Sequence, residues 1–73
     1  MKYQAESNAV HEILFDLEDL VDNENSRFEP NQKREIIRLK NKANYYLSKR
    51  LPLKAKRQAR LLDRYIQDCL YQY

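Results

Sequence analysis

At 73 residues with a single cysteine, Cys69, the chain has room for one modest core and cannot form an internal disulfide. Hydrophobic residues make up 42% and charged residues 34%, a balance that favours a folded helical domain over a disordered chain, and the absence of glycine argues against tight β-hairpins and phosphate-cradling loops. The net charge of +3 conceals a split: residues 1–30 set Lys2 and Arg27 against eight acids, a net of −6, while residues 31–73 set twelve cations against Glu35, Asp63 and Asp68, a net of +9.

The start, Met1-Lys2-Tyr3-Gln4, leads into polar residues instead of a signal-peptide core, and no stretch approaches the roughly 18 apolar residues of a membrane span. A cytoplasmic protein that does not enter the membrane is expected. A domain of this length buries only about 60% of its unfolded surface, so homodimerisation through an apolar face is one way to complete its core.

Three helices are predicted, over about 7–22, 30–49 and 52–72 of one domain spanning 1–73. In the first, Val10, Ile13, Leu14, Leu17, Leu20 and Val21 recur at helical spacing on one face, and Ser7 is placed to cap the N-terminus. The pattern ends at Asp22-Asn23-Glu24-Asn25-Ser26, which reads as a loop. Pro30 suits the first position of a second helix, whose stripe is Ile36, Leu39, Ala43, Tyr46 and Leu47. Leu51-Pro52 ends it and opens the third, because a residue before proline is pushed out of helical geometry. The third stripe, Ala55, Ala59, Leu62, Ile66, Cys69, Leu70 and Tyr73, is the narrowest. The expected fold is all-α, a small three-helix bundle.

The basic residues are not spread evenly over these helices. Lys54, Lys56, Arg57 and Arg60 crowd the start of the third, where the helix dipole is already positive and each cation costs roughly 0.3–1 kcal/mol. Arg57, Arg60 and Arg64 lie opposite the apolar stripe with Tyr71, Lys56 lies at its flank, and Asp68 follows Arg64 by one turn. On the second helix Arg34, Arg38, Lys42 and Lys49 surround Tyr45 on the outward side. Cations neutralise phosphates and a tyrosine ring can stack on an unpaired base, so Arg34, Arg38, Lys42, Tyr45, Lys49, Lys56, Arg57, Arg60, Arg64 and Tyr71 are the candidate contacts to DNA or RNA. The competing explanation is a solvated basic face that offsets an acidic neighbour. A helix-turn-helix would aim the start of the third helix at a major groove, but Arg50-Leu51-Pro52 stands where the usual glycine turn would be.

The first helix offers an alternative surface. Glu12, Asp16 and Asp19 share its outward side with Phe15, and Glu18 and Asp22 lie nearby. Either Phe15 packs under the polar loop or on Phe28, or it anchors another protein, as in an adaptor or one of the small inhibitors that phages and other mobile elements encode. Catalysis is not expected. His11 is alone beside Glu12, Cys69 falls on an apolar stripe, and Glu12, Asp16 and Asp19 lack a metal-binding loop, so neither cofactor nor metal is anticipated. Tyr3, Tyr46, Tyr65 and Tyr73 read as core or seam residues.

Overall fold

In the computed structural model residues 2–71 are described, with side chains from residue 7 onward; Tyr73 and the side chain of Tyr3, both expected at the core or its seam, lie outside. The first helix, α1, spans Lys2–Asn23 and so begins five residues before Ser7. Neither glycine nor proline occurs between Lys2 and Glu6, nothing there interrupts the helical ladder, and Ser7 sits half-buried inside α1 and not at its cap. Asp22 and Asn23 also remain helical, which shortens the expected loop to a turn at Glu24 and a single 3-10 turn, Asn25–Arg27.

The second helix, α2, covers Pro30–Ser48. Glu29 is extended at its N-cap, and the Glu29 N–H donates to the Gln32 side-chain oxygen at 2.8 Å, half of a capping box. The third, α3, covers Pro52–Tyr71. These three α-helices, with no strand among the described residues, form a rod 42 Å long and 17–18 Å across.

All three apolar stripes face inward, and α3 is the helix against which both others pack. Val10, Leu14 and Leu17 of α1, Ile36 and Ala43 of α2, and Ala55, Ala59, Leu62, Ile66 and Leu70 of α3 are buried. Ala43, Ala55 and Ala59 are wholly shielded, and their lone methyl groups let the backbones approach closely. Each fully buried leucine, isoleucine or valine contributes about 1.5–3 kcal/mol, so Leu62, Ile66 and Val10 anchor the assembly.

Phe28, in the connection between α1 and α2, closes one end of the core at 4% exposure. Beside it the Arg27 guanidinium donates to the Leu70 carbonyl at 2.6 Å. That bond ties the connection to the last turn of α3, gives a carbonyl of that turn a donor, and places a cation at the negative end of the dipole.

The α2–α3 turn is closed without glycine. The Leu51 N–H donates to the Tyr46 carbonyl at 2.9 Å and the Arg50 N–H to the Leu47 carbonyl at 3.1 Å, the two bonds of a Schellman motif. That geometry needs a left-handed residue after the cap, and Arg50 supplies it at φ 58°. For a residue with a Cβ the conformation costs about 1–2 kcal/mol. Arg50→Gly is therefore expected to raise unfolding stability by roughly 0.5–1 kcal/mol, since glycine's larger unfolded-state entropy offsets part of the relief. A urea titration in which the variant's stability is unchanged or lower would contradict the strain assigned to this turn.

Candidate functional site

The outward sides of α2 and α3 meet at this turn through aromatic rings. The Lys49 Nζ lies 5.6 Å from the centre of the Tyr45 ring, Tyr45 and Tyr46 meet edge to face with centres 5.8 Å apart, and the Lys54 Nζ lies 6.0 Å from the Tyr46 ring. Each cation–π contact at an exposed position is worth about 0.5–1 kcal/mol, enough to bias two flexible lysines toward these positions. The row Lys49–Tyr45–Tyr46–Lys54 thus links the basic surface of α2 to that of α3. Lys54 and Tyr46 were not among the candidate contacts. Their signal is weak in sequence because it depends on how the two helices lie side by side.

Arg34, Lys42, Arg57, Arg60 and Arg64 are all exposed, and among the described residues none of them forms an ion pair. Tyr71 is exposed on the same side of α3, and Tyr45 is 56% exposed on α2. Two other candidates are less available. Arg38 is engaged by Glu35 one turn away, and that carboxylate raises the arginine's pKa through hydrogen bonding and charge. Lys56 is half-buried at the flank of the apolar stripe, as its wheel position implied. The outer face of α3 is also less purely basic than its charges suggest, since Leu53 and Leu61 stand exposed at 64% and 50%. With Arg57 between them they make a mixed apolar and cationic strip. Both leucines fall off the core stripe, which is the cue that marks them.

On α1 the structure separates the two readings of Phe15. Phe28, and not Phe15, fills the space under the connection, and Phe15 is 71% exposed. It lies in a shallow depression with His11, Glu12 and Asp16. Glu12, Asp16, Glu18, Asp19 and Asp22 are all exposed. The expected offsetting of acidic and basic helices at their seam amounts to one cross-helix ion pair among the described residues, Lys40 Nζ to Glu18 at 3.7 Å. Both partners are partly solvated, which limits such a pair to about 1 kcal/mol or less.

That pair crosses a groove between α1 and α2, which scarcely touch each other. The groove holds about 230 Å³, with Leu62 and Ile66 of α3 at its base and Leu17, Val21, Ile36 and Ile37 along its walls. Lys33 closes one end by donating to the Asn25 side-chain oxygen at 2.8 Å.

Tyr46 and Tyr65 are half-buried at the seams. Burial pushes the Tyr65 hydroxyl above its ordinary pKa, with the Cys69 thiol adding to the shift. The Cys69 thiol is raised in turn, chiefly by burial and secondarily by Asp68, while hydrogen bonding to Tyr65 pulls the other way. Among the described residues no three potential metal ligands lie together, and no helix is long and apolar enough to cross a membrane.

Comparison with known proteins gave no matching family model, no matching curated protein and no matching solved structure.

The raised thiol pKa has a direct readout. At mildly alkaline pH less of Cys69 is thiolate than in an unfolded peptide, so folded protein should react with iodoacetamide more slowly than the same chain in denaturant. Equal rates in the two states would contradict this placement of the side chain.

Proposed function

We propose that the chain is a small non-enzymatic regulatory protein that binds nucleic acid through the basic outward faces of α2 and α3. The observation that carries this reading is the set of exposed cations with no acidic partner among the described residues: Arg34 and Lys42 on α2, and Arg57, Arg60 and Arg64 on α3. A basic face shaped by internal stability alone would pair more of its charges. It would also avoid the start of α3, where no acid occupies the first turn and the unpaired amides of the helix end already attract anions. The Tyr45–Tyr46 row adds an aromatic surface among the cations, with Lys49 over one face of Tyr45.

The test is binding to mixed-sequence DNA and RNA at about 50 and 200 mM salt, for wild type and for Arg57→Glu/Arg60→Glu. A protein that neutralises about four phosphates loses roughly a hundredfold in affinity over that range. The double reversal is expected to weaken binding further while leaving the helical circular dichroism spectrum unchanged. No detectable binding of either nucleic acid at the lower salt sinks the proposal.

A second reading is favoured by the exposure of Phe15 within an acidic face. Here α1 is the docking surface of an adaptor or inhibitor, with Phe15 as the apolar anchor and the surrounding carboxylates selecting a basic partner. Phe15→Ser removes the anchor without touching the core, so a captured partner should be lost from a pull-down. An unchanged set of partners would leave this reading without support.

A further inference from the structure

The acidic face of α1 and the basic face of α3 are complementary in charge, in apolar content and in spacing. On α1, Glu12 and Asp19 are seven residues apart, about 10.5 Å along the helix, with the exposed Phe15 between them. On α3, Arg57 and Arg64 have the same separation, with the exposed Leu61 between them. Phe15 lies three residues after Glu12, and Leu61 lies three residues before Arg64. Laid antiparallel, the two faces therefore bring Glu12 to Arg64, Asp19 to Arg57, and the Phe15 ring onto Leu61. None of these four charged residues forms an ion pair within the chain among the described residues.

We infer that the partner of the α1 face is a second copy of this chain, which presents the outer face of α3. This inference rests on the reading of α1 as a docking surface and names the occupant. It differs from closure of a small core through a shared apolar face, because two different surfaces of the same molecule meet. Such contacts build rings or open chains unless geometry closes them as a pair. Desolvation of Phe15 and Leu61 supplies the apolar part of the attraction. The ion pairs set the register and make the association sensitive to salt.

The experiment uses the full chain free of nucleic acid and three charge-reversed variants, with mass measured by sedimentation at low and high salt. Wild type is expected to show a weight-average mass at least about twice the monomer's at low salt, falling toward the monomer as salt rises. Glu12→Lys/Asp19→Lys alone and Arg57→Glu/Arg64→Glu alone should each be monomeric. Mixed together they should recover the wild-type mass, because each reversed face then meets a reversed complement. Arg34→Glu/Lys42→Glu makes the same change in net charge on α2 and, alone, should keep the wild-type mass. The inference is overturned by a monomeric wild type at high concentration and low salt, by no recovery on mixing, or by an α2 control that is as monomeric as the α3 variant. A monomeric wild type that still captures a Phe15-dependent partner would reject self-association while leaving the broader docking reading in place.

Discussion

The structure depends on one packing constraint: α3 is the common partner of both other helices. Its inward stripe passes from small to large residues, with Ala55 and Ala59 allowing close approach and Leu62, Ile66 and Leu70 filling the space beyond them. Because α1 and α2 each spend their apolar face on α3, they leave an open groove between themselves. The same constraint fixes the surfaces. Whatever lies opposite the stripe of α3 must face solvent, and there stand Arg57, Arg60, Arg64, Leu53 and Leu61. The exposure of α1's outer side, with Phe15 in an acidic surround, follows in the same way.

The two surfaces are built on different local compromises. On α3 the cations gather at the dipole's positive end, and Arg50 adds a left-handed conformation that glycine would adopt more readily. These features oppose the chain's own stability, and that opposition is why they count toward a binding role more than a solvated charge elsewhere would. On α1 no backbone cost is visible. What stands out is a large aromatic left in water while a second phenylalanine, Phe28, occupies the core position nearby.

Much of this was legible in the sequence. The three stripes at helical spacing gave the number of helices and, for every residue described, the inward face. Pro30 and Pro52 marked both later helix starts because proline tolerates only the first turn. The basic candidates on α2 and α3 came out exposed, Lys56 at the flank of its stripe excepted, because their wheel positions were already opposite the stripes. The start of α1 was missed because a serine ahead of an apolar run reads as a cap in sequence, whereas here Ser7 is carried inside a helix that nothing before it interrupts. Phe15 was ambiguous because a helical wheel shows direction but not whether a connecting segment folds back over it. The Tyr46–Lys54 contact and the groove depend on the relative placement of two helices, which intrahelical periodicity does not encode.

The single-sided attachment of α1 also orders the way the molecule comes apart. The α2–α3 hairpin is joined by a turn of three residues, so its contacts close a short loop, whereas α1 reaches α3 only across the whole of α2. The hairpin is thus the element that forms early, and α1 is the one that docks last and releases first. Among the described residues, apart from Arg27 on Leu70, Lys40 on Glu18 and Lys33 on Asn25, little but apolar contact along one side holds the α1 end in place. Amide exchange that runs through α1 ahead of α3 is the behaviour such an architecture produces.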